Sequence, residues 1–444
     1  MRRQLALSAA LAAALSTVSL AQASPRALTI DDAVALALRT NPHLASARAR
    51  ADAGDINAAS AGRRMLPSVH VSDEAQYWNK PFSVPFGTMS FTVRDQKTNT
   101  FVASADQPLL GLFRANEERE TLSEQSAADR AQIATTEADL RQTVETHFLH
   151  VFEALALEQI AGSSVHELSD QVTVAKARLA SGVITQADLL RIEVAVANAE
   201  QQALEAHSQG VTARAQLFAA IGLAPADAAE LTLVAPEARL AAVRAKETSP
   251  SLEALMPQAR EHRPELMQQA HLILAADRQV GARTYSLFPD IDLEGGYVRA
   301  DGQPFSPKNA GYVGLKANWA IWEWGASDLQ RKAAAIQADA ARRDQEMLAR
   351  QIEAELGASL AQGDAARGAV GTAEKAVSSA EEAYRVTDAS LKAGTATTTD
   401  LLESQSALSQ ARLNLTRAQY ELVLSDVALE HATGAVGVAG LAPL

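Results

Sequence analysis

The last long segment of the chain carries apolar residues at a regular spacing. Between residues 397 and 434 a row of leucines recurs every seven positions, and a row of small residues follows three positions after it. This spacing predicts one long helix that winds around a partner helix with a left-handed twist. The leucine row is Leu401, Leu408, Leu415, Leu422 and Leu429, and the small row is Ser404, Ala411, Ala418, Ser425 and Ala432.

The same two rows occur a second time, earlier in the chain. Subtracting 212 from each position (401 − 212 = 189) gives another apolar row and another row of mostly small residues. A Gly-x-x-Thr-x-x-Asp-Leu-Leu motif precedes both helices, at Gly182 and Gly394, and the two segments align without a gap. A repeat of this length predicts a tandem duplication of one helical unit. The earlier rows are Leu189, Val196, Ala203, Gly210 and Leu217, and Ile192, Ala199, Ala206, Ala213 and Ala220.

Further helices are predicted before each glycine turn and at the start of each half. Helix breaks at Pro42 and Pro264 occupy equivalent places in the two halves, with an offset of 222 (264 − 42 = 222). The longest helices are expected from near Phe113 to about Ala180, and from near Gly325 up to the second glycine turn. Each half is therefore predicted to begin with short helices and to end with a pair of long ones.

The helical period disappears at two places, where apolar and polar residues alternate instead. One strand is predicted at residues 291–297 and a returning strand at 312–321. The first half repeats this plan at residues 69–77 and 91–105, with a loop expected around residues 81–87. Alternation with a period of two is typical of a strand whose two faces meet different surroundings. Each half is therefore expected to contain one long β-hairpin.

These hairpins have the pattern of strands in a membrane β-barrel, with all four tryptophans in or beside them. A soluble hairpin packed on the helices is the alternative that the strands alone leave open. Four strands are too few to close a barrel, because small barrels have about eight. If the strands enter a membrane, several chains must share one barrel. The tryptophans are Trp78, Trp319, Trp322 and Trp324.

The amino terminus predicts export from the cytoplasm. Arg2 and Arg3 precede an apolar run at residues 5–20, and residues 21–23 (Ala-Gln-Ala) form a cleavage site, so residues 1–23 are expected to be a signal peptide. A membrane anchor is the competing interpretation, but the apolar run is short and the cleavage site follows it directly. No later segment has the roughly 18 consecutive apolar residues of a membrane-spanning helix.

The composition of the chain and its isolated histidines exclude several classes of function. The chain has 444 residues and a formal net charge of −13, without the basic cluster that nucleic-acid binding requires. It contains no cysteine, which excludes disulfide bonds and a lipid attached to an amino-terminal cysteine. His147 and His150 share a helix face, but no nearby residue completes a recognisable metal-binding set. We therefore predict neither an enzyme nor a bound metal or cofactor.

Three acidic residues after the glycine turns are candidate functional residues. Asp188 and Asp400 each end a Thr-x-x-Asp segment that is typical of a capping box, and acids in the first turn suit the helix dipole. In a symmetric assembly that brings the turns towards an axis, Asp188, Asp400 and Glu403 would also form a ring of carboxylates that attracts cations. The cap role and the pore role are compatible.

Taken together, these features resemble the TolC-like outer-membrane efflux family. The resemblance covers nearly all of the chain after residue 23, and its most specific parts are the duplicated element order and the two glycine turns. It implies a mainly α fold with a membrane β-barrel portion, in which duplicated helix–strand–strand–helix units form, as a homotrimer, a twelve-stranded barrel on a long coiled-coil α-barrel. It also implies a passive exit duct in the outer membrane of a Gram-negative bacterium, with the helical part in the periplasm. Its expected partners are outer-membrane lipid, a periplasmic adaptor and a proton-driven or ATP-driven inner-membrane pump.

The resemblance also implies roles for individual residues. Asp400 and Glu403 are similar to the acidic constriction of the family's tunnel, and Asp188 to an aspartate of its gate. Leu391 and Ala396 stand where the best-known member has a gate tyrosine and a gate arginine, which leaves open how the closed state is latched. The turns that are similar to adaptor-docking tips contain Ser181, Gly182, Thr185, Ala393, Gly394 and Thr397.

Efflux of drugs or small molecules is the favoured function within this family, and type I protein secretion and metal-ion efflux are the alternatives. A soluble periplasmic adaptor of coiled-coil type is the alternative from a different class, although such a protein would have one helical hairpin and a separate β domain. The expected organisation is a signal peptide (1–23), a first repeat (24–223, hairpin about 67–107), a connector (224–251), a second repeat (252–434, hairpin about 289–322) and a tail (435–444).

Overall fold

The computed structural model describes residues 26–224, 231–246 and 250–434. The predicted signal peptide and the predicted tail lie outside the described residues, and the connector lies partly outside them. Within the described ranges, no helix combines the length and the apolar character that crossing a membrane requires.

Long helices dominate the described part of the chain. The helices are α1 (Ile30–Thr40), α2 (Pro42–Arg63), α3 (Gly111–Ala180), α4 (Gln186–Ile221), α5 (Glu237–Arg244), α6 (Leu252–His262), α7 (Pro264–Tyr285), α8 (Ala326–Lys392) and α9 (Thr398–Ala432). The strands are β1 (Arg26–Leu28), β2 (Ser68–Tyr77), β3 (Phe82–Phe86), β4 (Met89–Arg94), β5 (Lys97–Pro108), β6 (Leu231–Leu233), β7 (Asp290–Asp301) and β8 (Asn309–Asn318).

The chain folds as two compact units, and each unit takes residues from both sequence repeats. The long helices α3, α8 and α9 contribute to both units. The units therefore do not correspond to the duplicated halves of the sequence. Among the described residues, unit 1 comprises 26–41, 140–224, 231–246 and 365–427, and unit 2 comprises 42–139, 250–364 and 428–434.

Unit 1 is built from helices around one main apolar core. β1 pairs in parallel with β6, and this pair places Leu28 in the core with Phe148 and Leu217. A capping box starts α1, because the hydroxyl of Thr29 accepts from the N–H of Asp32 and the Asp32 carboxylate accepts from the N–H of Thr29. The predicted seven-residue rows of α4 and α9 are confirmed, since their members in this unit are largely buried. The buried members include Leu189, Ile192, Leu217, Leu401, Leu408 and Leu422.

Unit 2 contains a four-stranded antiparallel sheet in the order β2-β5-β7-β8. The first and last pairs correspond to the two predicted hairpins, and the pairing of β5 with β7 joins them. The returning strand predicted at residues 91–105 is wrong in its first part, because residues 91–94 belong to β4 and β5 begins only at Lys97. In that central pair Ala103 lies opposite Tyr297 and Asp106 lies opposite Glu294. The outer strands of this sheet are β2 and β8, and every residue in both is exposed.

The loop predicted around residues 81–87 is wrong, because this segment forms a second, shorter hairpin. β3 and β4 pair as a separate two-stranded sheet with a turn at Gly87. The apolar residues Phe82, Val84 and Phe86 alternate with smaller ones, and Gly87 adopts the positive φ of 63° that such a tight turn requires. Phe91 of β4 also meets Phe305 edge to face, with ring centroids 6.4 Å apart.

A buried arginine joins the helix ends in unit 2. Arg263, only 6% exposed, lies between α6 and α7 and forms ion pairs with Glu265 and with Glu355 of α8. It also donates to the backbone carbonyl of His431, near the end of α9. The His431 ring in turn contacts Glu355 and Asp139 at 3.6 and 2.9 Å. These contacts hold four segments of the chain together around one guanidinium group.

Candidate functional site

Two glycine turns connect the long helices of unit 1. Gly182 follows α3 with a φ of 74°, and Gly394 follows α8 with a φ of 79°. The N–H of Gly182 donates to the carbonyl of Leu179 at 2.9 Å, and that of Gly394 to the carbonyl of Leu391 at 3.2 Å. Since a Cβ at either glycine would meet nothing within 4 Å, the backbone conformation rather than lack of space requires glycine.

The helix after each turn begins with the same hydrogen-bonded cap. In α4 the Asp188 carboxylate accepts from the Thr185 N–H at 3.0 Å and from the Thr185 hydroxyl at 2.7 Å, and the hydroxyl accepts from the Asp188 N–H at 3.2 Å. In α9 the same three contacts between Thr397 and Asp400 measure 2.8, 2.7 and 3.2 Å. The duplicated motif thus folds into two nearly identical capping boxes.

The caps also fix the charge of the two aspartates. Hydrogen bonds from the hydroxyl and the N–H of Thr185 hold the pKa of Asp188 below its ordinary value. The N–H and the hydroxyl of Thr397 lower the pKa of Asp400 in the same way. Both carboxylates are therefore ionised at neutral pH.

The two caps differ in the residue that follows each aspartate by three positions. In α4 this residue is Arg191, whose guanidinium lies 3.5 Å from the Asp188 carboxylate and donates to the Thr399 hydroxyl at 3.4 Å. In α9 it is Glu403, which is exposed. Since residues three apart lie on one helix face, Asp400 and Glu403 present two acids on the same side of α9. The first turn is charge-compensated, and the second is acidic.

A cleft of about 350 Å³ lies between the helices near these turns. Gln171 of α3 donates to the side-chain oxygen of Gln405 in α9 at 2.5 Å, and Gln405 donates to Glu167 at 3.3 Å. Gln405 is only 3% exposed. Leu391, at the position of the expected gate tyrosine, lines the same cleft and contributes an apolar surface. A buried polar contact between α3 and α9 therefore exists beside the turns.

The structure brings together part of the predicted site. Contact between Arg191 and Thr399 places the two turns at the same end of unit 1, with Asp188 and Asp400 capping their helices. Sequence reasoning missed Arg191, although its place opposite Glu403 in the duplication was visible. It also missed the pair formed by Gln171 and Gln405, because nothing in the local sequence indicates that α3 meets α9 at those positions.

The histidines of α3 form no metal site among the described residues. His150 contacts Glu153 at 3.0 Å, and this hydrogen bond raises the pKa of His150. Burial lowers the pKa of His147. Within the described ranges, no group of three or more histidine, cysteine or acidic side chains is arranged to hold a metal ion.

Comparison with known sequences shows which family this chain resembles. The sequence model of a family described as "Outer membrane efflux protein" matches residues 33–223 and 255–435, which correspond to the two repeats. The chain is 23% identical over 414 residues to the outer membrane efflux protein BepC of Brucella suis, and the match covers 91% of this chain and 85% of that protein.

Comparison with solved structures confirms the predicted fold class. Crystal structures of CusC share the fold with a TM-score of 0.78 at 15% identity, over 91% of each chain. The outer membrane protein VceC of Vibrio cholerae has a TM-score of 0.77 at 19% identity, over 91% of this chain and 96% of that one.

Proposed function

Because the chain belongs to the outer membrane efflux protein family, we propose that it works as a homotrimer that forms a passive exit duct with a periplasmic adaptor and an inner-membrane pump. The chain is an efflux channel of the outer membrane of a Gram-negative bacterium, and its helical part extends into the periplasm. The pump supplies the energy in this proposal, and the channel supplies the path.

The exposed residues of the two outer strands are the main observation in support of the proposed trimer. All residues of β2 and β8 are exposed, although Val69, Val71, Val313 and Leu315 are apolar. In a membrane the backbone groups along such strand edges must find partners, which a closed barrel provides. Three chains with four strands each would supply twelve strands, whereas the four strands of one chain are too few.

We assign the narrow part of the duct to the acidic residues beside the turns. In a trimer with these turns near the axis, Asp400 and Glu403 would contribute six carboxylates, with Asp188 close by. The lowered pKa of Asp400 supports this role, because its carboxylate stays ionised at neutral pH. Such a ring would favour cations and disfavour anions.

The glycine turns are the surfaces we assign to adaptor docking. They are exposed, compact and alike, so an adaptor with repeated tips could bind both in the same manner. The repeated geometry of the caps supports this assignment. The residues concerned are Ser181, Gly182, Thr185, Ala393, Gly394 and Thr397.

Small molecules are the cargo we favour, because the matched family and BepC are both named for efflux. Protein secretion by a type I system and metal-ion efflux are the alternatives. A duct that receives cargo from a pump needs no binding site for that cargo. The identity of the pump therefore distinguishes small molecules, proteins and metal ions as cargo.

Cross-linking of the native cell envelope followed by purification of this protein tests the proposal. We expect an adaptor and a pump to be recovered with it. A proton-driven pump would favour small molecules or metal ions, and an ATP-driven transporter would favour protein secretion. Carbonate extraction distinguishes the channel from a soluble periplasmic adaptor, because the adaptor would be released from the membrane and a membrane barrel would remain in it. Recovery of a carbonate-soluble monomer would contradict the proposal.

A further inference from the structure

A cleft of about 440 Å³ lies between the main sheet of unit 2 and the shorter hairpin formed by β3 and β4. On the sheet side it is lined by Glu74 and Gln76 of β2 and by Thr98 and Thr100 of β5. These four side chains share one face of the sheet, because Glu74 pairs with Thr100 and Gln76 pairs with Thr98. The sheet side of the cleft is therefore polar throughout.

The shorter hairpin forms the opposite wall of the cleft. It contributes the apolar side chains of Phe82 and Val93 and one cation, Arg94. The residue after this hairpin is tied to the turn between β7 and β8, because the N–H of Asp95 donates to the carbonyl of Gly302 at 2.8 Å. The wall is thus fixed in place and is apolar apart from a single guanidinium group.

That guanidinium group is held flat against an aromatic ring. The central carbon of the Arg94 guanidinium lies 3.5 Å from the centroid of the Trp78 ring, which is a cation–π contact. The indole N–H of Trp78 donates to the hydroxyl of Thr98 at 3.2 Å, and Thr98 is only 7% exposed. A buried threonine therefore orients the ring, and the ring orients the arginine.

The contact with Trp78 occupies the face of the guanidinium and leaves the N–H groups along its edge. The Nε atom of Arg94 is buried and has no hydrogen-bond partner among the described residues. Such an unpaired buried donor is rare in folded proteins and calls for an explanation. The planar fork of an arginine matches the two oxygens of a carboxylate or the oxygens of a phosphate. A ligand that carries such a group would satisfy this donor.

The other side chains of the cleft restrict the rest of the ligand. Glu74, which accepts from the amide of Gln76, would repel a compact ion that is negative on all sides. Thr100 and Gln303 add neutral groups that can donate and accept hydrogen bonds. The volume falls within the range of pockets for small organic molecules. The cleft therefore fits a molecule with one anionic group, several hydroxyls and an apolar face.

The position and charge of this end of the sheet agree with such a ligand. All four strands of the main sheet join helices at one end, and the shorter hairpin and the turn between β7 and β8 lie at the other. Since the helical part extends into the periplasm, the cleft lies towards the cell exterior. Residues 77–97 and 299–309 contain five basic and two acidic residues, whereas the whole chain has a formal net charge of −13. This end therefore attracts anions.

We propose that this cleft binds a sugar acid, a hydroxylated ring that bears a carboxylate, at the outer end of the channel. The carboxylate accepts from the N–H groups of Arg94, and the ring hydroxyls bond to Glu74, Thr100 and Gln303. The apolar face of the ring packs against the hairpin wall. This site goes beyond the proposed function, and all of its residues belong to one chain.

Ligand-observed NMR titration of the purified protein, in a detergent without sugar head groups, tests the proposal. The probes are D-galacturonate and D-glucuronate, with D-galactose and D-glucose as their neutral partners. We expect at least one acid to bind roughly ten-fold more tightly than its partner, because only the acid pairs with the guanidinium. Trigalacturonate identifies the source, since tighter binding of the trisaccharide indicates a residue within a polysaccharide and equal binding indicates a free sugar acid.

Variants separate the role of Arg94 in binding from a role in folding. Arg94→Gln should remove the preference for the acid and leave the binding of the neutral sugar unchanged. Thr100→Val keeps Arg94 and Trp78 and should weaken both sugars alike. Arg299→Gln is the matched control, because this arginine lies at the same end of the sheet but pairs with Asp301 at 3.0 Å, and it should bind as the native protein does.

Three results would overturn the site. They are equal binding of both acids and their neutral partners by the native protein, a preference for the acid that survives in Arg94→Gln, and tighter binding of L-glutamate than of either sugar acid. Native mass spectrometry keeps this test apart from the proposed function. A trimer without the preference would overturn the site alone, and a monomer with the preference would contradict the trimer alone.

Discussion

Arg191 and Glu403 occupy equivalent positions in the two repeats (403 − 191 = 212) and carry opposite charges. Each follows a capping aspartate by three residues. Arg191 contacts Asp188 and reaches Thr399 of the second turn, whereas Glu403 adds a second acid beside Asp400. The duplication therefore preserved the cap and changed the charge next to it, which concentrates negative charge on the second repeat.

The ion preference of the channel should depend on these charges. Asp400→Ala/Glu403→Ala should shift the reversal potential in a salt gradient towards anions, because the ring loses the carboxylates of Asp400 and Glu403. Arg191→Glu should shift it further towards cations, and Arg191→Lys is the matched control that keeps the charge. Planar-bilayer recording measures all three variants. Unchanged reversal potentials in the double variant would leave these acids with the cap role alone.

Loss of a cap should loosen the first turn of its helix. Thr397→Ala removes the hydroxyl that bonds to Asp400, and loss of such a cap costs about 1 kcal/mol. Amide hydrogen exchange in the first turn of α9 should then become roughly five-fold faster. Thr397→Ser retains the hydroxyl and should exchange as the native protein does. Equal rates in both variants would show that the capping bond contributes nothing there.

Two glycines with similar φ values should respond differently to substitution. Gly394→Ala places a Cβ in open space, so its cost comes from the left-handed backbone alone, roughly 1–2 kcal/mol. Gly434→Ala meets the same backbone cost and also brings its Cβ to 2.8 Å from the carbonyl carbon of His262. Thermal unfolding of the purified variants should show the larger loss for Gly434→Ala. An equal loss would mean that the chain near Gly434 moves aside without cost.

The cluster around Arg263 should make stability depend on pH. Hydrogen bonds to Asp139 and Glu355 raise the pKa of His431 from 6.5 to about 9, so its stabilising contribution is full below pH 6.5 and is lost as the pH rises through 9. Hydrogen bonding to His431, followed by that to Arg263, lowers the pKa of Glu355 from 4.5 to about 2, so its contribution is full above pH 4.5 and is lost as the pH falls towards 2.

Urea unfolding at pH 5.5 and at pH 9.5 measures the histidine contribution. The native protein should lose stability between these values, and His431→Gln should lose less, because it has no proton to release. Identical pH dependence in the two proteins would contradict the assignment of this charge to the cluster.

Local patterns predicted much of the fold. The seven-residue rows located α4 and α9, and alternation located the strands of both hairpins, because a helix face and a strand face leave their period in the sequence. Contacts between distant segments produce no regular spacing of residues in the sequence. The pairing of β5 with β7 and the contact of Arg263 with Glu355 join residues far apart in the chain, so local patterns contain no information about them.

The sequence predicted the local parts of the candidate site but not its contacts between helices. The caps at Asp188 and Asp400 follow from a motif of four residues, so reading the motif was sufficient to place them. The bond between Gln171 and Gln405 depends on how α3 meets α9, which the sequence of either helix alone does not state. The carboxylate ring and the docking role of the turns remain predictions, because both depend on other chains.

Native mass spectrometry of the protein extracted from the outer membrane tests the central claim most directly. The claim is that three chains, each with four strands of the main sheet, close one barrel and one tunnel. We expect a single species with three times the mass of the mature chain, stable in mild detergent. A species with the mass of one chain, recovered from the same membrane in folded form, would contradict the account.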